Sequence, residues 1–294
     1  MDVKPRVYFV GAGPGDPELI TVKGARLLRE ADYVLYTGSL VPKELFEDLQ
    51  GTVEDSKGLD IHQIVERLVS HASKGEKVVR VHTGDPAVYG AVQEQRARLL
   101  AENIDSEVVP GVTSALAAAA AVNAELTLPE LTQTIVLSRT EGRTSMPDGE
   151  KLADLAKLGN ASLCLYLSAT LTNKVARELI DNGRSPQTPV AVVQYASMQQ
   201  KQRIVRCTLE TLATEMSKAG IRAQAMLLIG PALDPEIRTQ IGKFDSKLYS
   251  RDFSHRFRKA GSEEKESVPR TPKSRKFEKE STLQPLSTNP EGKL

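Results

Sequence analysis

Tryptophan is absent from the 294-residue chain, and aromatic residues make up only 4% of it. Platforms that stack nucleic-acid bases need repeated aromatic faces, so this scarcity argues against them. Charge of one sign is missing too: 39 Lys and Arg stand against 38 Asp and Glu, a formal net charge of +1. That balance gives no general attraction to nucleic acid or to a membrane surface, although a local basic pocket is compatible with it. The only cysteines, Cys164 and Cys207, lie far apart in apolar runs and form no CxxC pair. They are expected to be small buried thiols in a reducing compartment. Four histidines (His62, His71, His82, His255) are too scattered to suggest a metal site. The N-terminus lacks the apolar core of a signal peptide, and no apolar run approaches the ~20 residues that span a bilayer. The expectation is a cytoplasmic protein with no membrane or nucleic-acid partner and no bound metal.

What the chain does have is glycine in turns. The apolar run Val7-Tyr8-Phe9-Val10 ends in Gly11-Ala12-Gly13-Pro14-Gly15-Asp16. Glycine permits positive φ and close approach to the backbone, so a site can be built at such a turn. It is not a dinucleotide fingerprint. A strict GxGxxG needs glycine where Asp16 stands, and Pro14 removes an N–H from a loop that would donate N–H groups to phosphate. The acidic residue expected at the end of the second strand is replaced by Thr37-Gly38-Ser39, and no Gly-Lys-Ser/Thr follows to make a P-loop.

Read in order, strand, turn and helix repeat through the first ~125 residues, the pattern of a parallel α/β domain. Strands are predicted at 7–10, 33–36, 77–82 and 107–109, with helices from Thr21 to Ala31, over 61–74 and over 93–103. The alanine-rich stretch 115–121 is expected to be a helix lying close against that sheet. A second series begins near Pro129, with strands at 134–138, 162–167, 189–195 and 225–229 and helices at 150–158, 171–182 and 209–219. Residues 203–207 are expected to pair with 189–195 as an antiparallel hairpin, which would make the second sheet mixed. Beyond Lys259 the composition turns to Lys, Glu, Ser, Thr and Pro without periodicity, a disordered polar tail. The expected domains are therefore 1–125, 126–259 and a tail over 260–294.

Turns at 11–16, 83–90 and 110–114 all follow predicted strands. In a parallel sheet they would open together at the carboxyl edge, where open α/β folds bind ligands. Asp85, held between Gly84 and Pro86, can accept hydrogen bonds from a sugar hydroxyl, balance a cationic ligand or cap its own turn. No nucleophile triad or paired carboxylate stands out. That suits chemistry carried by a reactive cofactor, for which the protein supplies binding and orientation.

The run Val10-Gly11-Ala12-Gly13-Pro14-Gly15-Asp16-Pro17-Glu18-Leu19-Ile20-Thr21 resembles the first signature of the tetrapyrrole methylases, which use S-adenosyl-L-methionine. Within that group, the runs beginning Tyr36-Thr37-Gly38-Ser39-Leu40-Val41-Pro42 and Val81-His82-Thr83-Gly84-Asp85-Pro86 resemble the precorrin-4 C(11)-methyltransferase branch. So do Glu141-Gly142-Arg143-Thr144 and Ser246-Lys247-Leu248-Tyr249. The similarity spans about Arg6 to Lys259. It implies two α/β domains with a ligand trough between them, a homodimer, and methylation of carbon 11 of precorrin-4 or cobalt-precorrin-4 to give precorrin-5 in cobalamin (vitamin B12) synthesis. It also implies cofactor contacts at Pro14, Thr83, Gly84, Asp85, Val88, Thr113, Ser114, Leu167, Ala196 and Met226. Relatives often carry methionine at Leu167, and some carry glycine at Ala196.

S-adenosyl-L-methionine carries no phosphate at the reacting end or elsewhere, so a proline in the first loop loses nothing. The implied substrate is an anionic tetrapyrrole, and arginines and hydroxyls should meet its carboxylates. The candidates are Ser39, Arg96, Arg139 and Arg143. His82, Tyr89 and Glu94 are the candidates for a general base. Alternatives are a sibling enzyme acting on another ring carbon or on uroporphyrinogen III, a protein- or RNA-modifying methylase on the same scaffold, and a binding module without turnover.

Overall fold

The computed structural model describes residues 5–38, 40–240, 242–250, 252–256 and 258–259. The predicted tail over 260–294 lies outside them. The described residues fall into two compact units divided between Asp245 and Ser246.

In the first unit the chain runs β1 (Arg6–Gly11), α1 (Val22–Arg29), β2 (Tyr33–Tyr36), β3 (Thr52–Asp55), α2 (Ile61–Ala72), β4 (Val78–His82), α3 (Val92–Ala101), β5 (Asp105–Val109) and α4 (Ser114–Ala121). It continues through β6 (Ile135–Arg139), α5 (Leu152–Ala156), β7 (Ser162–Tyr166), α6 (Thr172–Asp181), β8 (Pro189–Gln194), β9 (Arg203–Thr208), α7 (Leu212–Lys218) and β10 (Ala225–Ile229).

Strands β1–β5 form one sheet in the order β3-β2-β4-β1-β5, and every pairing in it is parallel. A parallel sheet is covered on both faces, so its central strands are largely apolar, whereas the edge strands β3 and β5 carry acidic residues. All five residues of β4 are buried. Phe9, Leu35 and Val78 pack with Leu68 of α2 and Leu99 of α3 on one face, while Val10, Val34 and Val81 pack with Leu27 and Leu28 of α1 on the other. Burying such side chains contributes about 1.5–3 kcal/mol each. Helix α2 starts at a reciprocal cap: Gln63 N donates to Asp60 Oδ1 at 2.9 Å, and Asp60 N donates to Gln63 Oε1 at 3.0 Å.

The second sheet has the order β6-β7-β10-β8-β9, parallel between β6 and β7 and antiparallel elsewhere. The expected β8–β9 hairpin is present, in register from Pro189–Thr208 to Gln194–Arg203. Helices α5, α6 and α7 cover one face through Leu152, Val175, Leu179 and Leu212. The other face is covered by α4, whose Ala115, Ala118 and Ala119 pack on Cys164, Ala191, Val193 and Leu228. The alanine helix thus lies on the second sheet, not on the one that precedes it. Small side chains let it approach closely, but they carry no preference for which sheet. Cys164 is buried and Cys207 half-buried, and both are free thiols. No helix among the described residues is long and apolar enough to cross a membrane.

The second unit contains a short 3-10 turn at Lys247–Tyr249, part of the quoted 246–249 run. The Arg258 guanidinium donates to the carbonyls of Leu248 and Ser250 at 2.8 and 2.6 Å, which ties this segment to itself.

Candidate active site

The turns after β1, β4 and β5 meet at one edge because those strands are neighbours in the order β4-β1-β5. They meet backbone to backbone. Ala12 N donates to His82 O at 2.8 Å, and Gly13 and Gly84 exchange two backbone bonds of 3.2 and 2.7 Å. A Cβ on Gly11 would sit 2.6 Å from Gly84 O and 2.7 Å from Gly111 Cα, so glycine is required there by space alone. The close approach is between the loops themselves, a role the sequence pattern assigns to a ligand.

Asp85 closes the assembly. Its Oδ1 accepts from Ala87 N at 2.7 Å and its Oδ2 from Gly111 N at 2.9 Å, linking the second turn to the third. In the first turn, the Ala12, Gly13 and Asp16 amides donate to His82 O, Gly84 O and the Ser197 hydroxyl, and Pro14 has no N–H. Those amides are engaged within the protein, so the turn is no phosphate cradle.

These turns form one side of a cavity of about 700 Å³. The other side comes from the second sheet: Tyr166 at the end of β7, Leu167 beyond it, Tyr195 and Ala196 after β8, and Met226 in β10. Besides the Asp16–Ser197 bond, two further contacts join the sides. The hydroxyls of Thr113 and Tyr166 share a hydrogen bond at 2.5 Å, and the Tyr89 and Tyr166 rings meet edge to face at 5.3 Å. Five lining residues other than glycine adopt left-handed backbone that side chains disfavour: Tyr89 (φ +56°), Ala91 (φ +49°), Leu167 (φ +52°), Tyr195 (φ +50°) and Gln224 (φ +54°). Strain of about 1–3 kcal/mol per residue persists where the surroundings hold it, commonly at ligand sites. Leu167 is 72% exposed despite being apolar, an arrangement suited to closing over a ligand.

Burial, with the Arg80 charge as a smaller contribution, pushes the His82 imidazole down to about 3. Burial also raises the Tyr89 and Tyr166 phenols. Both tyrosines therefore present neutral hydroxyls at neutral pH. Among the described residues, no group of three or more His, Cys, Asp or Glu is arranged to hold a metal.

Residues 6–213 match the family of Tetrapyrrole (Corrin/Porphyrin) Methylases. The chain belongs to this family.

A cobalt-precorrin-4 C(11)-methyltransferase from Priestia megaterium is 51% identical over 256 residues, covering 86% of this chain and 98% of that protein. The X-ray structure of a cobalamin biosynthetic enzyme, cobalt precorrin-4 methyltransferase, superposes with a TM-score of 0.76 at 51% identity, covering 78% of this chain and 96% of that one. A uroporphyrin-III C-methyl transferase from Thermus thermophilus, solved in complex with S-adenosyl homocysteine, has a TM-score of 0.65 at 33% identity, covering 78% and 93%.

In this tetrapyrrole methylase, all ten positions named for the cofactor line the same cavity: Pro14, Thr83, Gly84, Asp85 and Val88, then Thr113 and Ser114, then Leu167, Ala196 and Met226. His82, Tyr89 and Glu94 line it as well. The substrate candidates are distributed differently. Ser39 lies outside the described residues. Arg96, Arg139 and Arg143 are not among the lining residues. Arg96 Nε donates to Ser106 Oγ at 2.9 Å, and Arg139 donates to the carbonyls of Thr144 and Ser145 at 3.1 and 2.7 Å, folding its own loop. Arg143 is exposed. Sequence reasoning missed Arg80, Tyr166, Tyr195 and Arg222, which all line the cavity. For Arg80 there was a signal, a charge between Val79 and Val81 in an otherwise apolar strand.

Proposed function

We propose that this methyltransferase methylates carbon 11 of cobalt-precorrin-4, or of metal-free precorrin-4, with S-adenosyl-L-methionine as donor, in building the corrin ring of cobalamin. The observation that carries the reading is the convergence of ten separate positions, from Pro14 to Met226, on one cavity. The 51% identity to a cobalt-precorrin-4 C(11)-methyltransferase over nearly its whole length supports the choice of substrate.

When bound, S-adenosyl-L-methionine supplies a methyl group activated by its sulfonium. The residues fit such a ligand: the cavity mixes apolar and hydroxyl groups, and the amides of the first turn are already bonded within the protein. Thr83, Gly84, Thr113, Ser114 and Met226 would hold it, and Leu167 would close over it. The chain's part in the reaction is positioning, and a displacement gains most from holding donor and acceptor in fixed alignment. The Asp85 link makes the cofactor wall rigid before any ligand arrives. His82, pushed down to about 3, is a poor proton acceptor at neutral pH. Glu94 is ion-paired to Arg98 at 3.0 Å and lines the cavity as a carboxylate, the better-placed of the candidate bases. Arg143, exposed on its loop, is the remaining candidate of the polar loop for an outer carboxylate of the macrocycle. The same reading carries a cytoplasmic homodimer with no resident metal.

The test is turnover of cobalt-precorrin-4 and metal-free precorrin-4 in parallel, with mass spectrometry of the product. One methyl added to a tetrapyrrole is expected. Methyl transfer to protein or RNA, or none to either tetrapyrrole, overturns the reading.

A further inference from the structure

Strand β4 places a charge where its neighbours are hydrocarbon. Arg80 is 3% exposed, between Val79 and Val81, which are fully buried. Its guanidinium is braced by neutral acceptors only: Nε donates to Gln95 Oε1 at 3.3 Å, and Nη1 donates to Leu35 O at 3.2 Å and Ser56 Oγ at 3.0 Å. Nη2 takes part in none of these bonds. No carboxylate among the described residues lies within ion-pair distance of Arg80.

Burial lowers the group only to about 10, so it is charged at neutral pH. A buried cation without an anion is strongly disfavoured unless something supplies the missing charge. The acids that line the cavity do not relieve it. Asp85 accepts from the Ala87 and Gly111 amides, and Glu94 is paired with Arg98. Asp55, whose charge acts on Arg80 from a distance, accepts from the Gly38 and Lys57 amides. Yet Arg80 lines the cavity, as do Thr37, Ile61 and Gln95 around it. Beside it on the same strand, His82 lines the cavity too, and its buried Nε2 has no partner. The Arg80 guanidinium thus presents a positive charge with a donor, Nη2, outside those three bonds and, among the described residues, no carboxylate at ion-pair distance.

We propose that Arg80 binds a carboxylate of the tetrapyrrole through Nη2 and so fixes how the macrocycle enters the cavity. A guanidinium held by three bonds has little freedom left to lose, and a carboxylate supplies the missing anion. Pinning one acetate or propionate side chain would select which ring carbon faces the donor. The inference rests on the tetrapyrrole reading of the preceding subsection.

Wild type and Arg80→Gln are compared by KM for cobalt-precorrin-4 and by calorimetric Kd for S-adenosyl homocysteine. The expected result is a KM raised about ten- to a hundredfold, the range of a hydrogen bond to a charged group, with the S-adenosyl homocysteine Kd within about twofold. An unchanged KM overturns the proposal, and so does an equal loss of both ligands, which would make Arg80 a brace only. If Arg80→Gln does not fold, the crystal structure of the wild-type protein with the methylated tetrapyrrole decides. A substrate carboxylate within hydrogen-bond distance of Arg80 Nη2 supports the proposal, and any other group there overturns it. Wild type that turns over no tetrapyrrole fails at the earlier step, and this inference falls with it.

Discussion

The carboxylate of Asp85 accepts a hydrogen bond from the backbone N–H of Gly111, 2.9 Å away and on a different loop. Its other oxygen accepts from Ala87 N at 2.7 Å, so one side chain holds the turn after β4 against the turn after β5. Both turns line the cavity through Thr83, Gly84, Thr113 and Ser114, the wall proposed for the cofactor. Asp85→Asn can keep one of these bonds but puts an amide where a second acceptor is needed. A loss of about 1–3 kcal/mol in stability and a roughly tenfold weaker Kd for S-adenosyl homocysteine are expected. Urea unfolding and calorimetry measure both, and an unaltered Kd would separate Asp85 from the cofactor wall.

The glycines of the same junction make a sterically sharper prediction. A methyl at Gly11 would meet Gly84 O at 2.6 Å and Gly111 Cα at 2.7 Å, both backbone atoms that cannot yield as a flexible side chain would. Gly11→Ala should cost about 1–3 kcal/mol, the usual range for overpacking. At Gly142 the added Cβ meets only Leu171 Cδ1 at 3.4 Å. Gly142→Ala should stay within about 0.5 kcal/mol of wild type. Equal effects in urea unfolding would contradict the packing account.

His82 links stability to pH. Its folded value is pushed down to about 3 from an ordinary 6.5, so the unfolded chain takes up the proton first as pH falls. Stability contributed by neutral His82 is full above about 6.5 and is lost as pH drops from there toward 3. Between pH 7 and pH 5 this amounts to about 1–2 kcal/mol. Wild type should lose that much more stability than His82→Gln over the same interval, measured by urea unfolding. Parallel losses would show that His82 is not the buried titrating group.

Arg143 gives a prediction about the substrate alone. It is exposed and absent from the cavity wall. Arg143→Ala should raise the KM for the tetrapyrrole about two- to fivefold, as expected for an exposed charge contact, and leave binding of S-adenosyl homocysteine within about twofold. Equal loss of both ligands would assign the residue to the fold instead.

Much of this was legible in the chain. Val7–Val10, Tyr33–Tyr36 and Val78–His82 are apolar runs ended by glycine turns, and each is a strand of the first sheet. The ten positions that the family resemblance implies for the cofactor all line one cavity, and seven of them lie in or beside the turns after β1, β4 and β5. Strand β3 escaped notice because Thr52–Asp55 is four residues long, half acidic, and lies at the sheet edge, where one side of its backbone goes unpaired and packing demands are weak. Helix α4 was legible as a helix but not in its partner, since alanine accommodates any close surface. The arginines were the least legible. Arg139 looks like a free cation in sequence, yet its donors are engaged by the carbonyls of its own loop. Arg80 looks like an interruption in a strand, yet it is the buried charge that faces the cavity. Where a long side chain ends is a matter of tertiary contacts, and periodicity along the chain does not encode it.

The most direct test of the central claim is the site of methylation. The protein would be incubated with cobalt-precorrin-4 and S-adenosyl-L-methionine labelled with carbon-13 at its methyl group, and the product examined by NMR. A single labelled methyl attached to carbon 11 is the predicted result. A labelled methyl at another ring carbon, or an unlabelled tetrapyrrole, would contradict it.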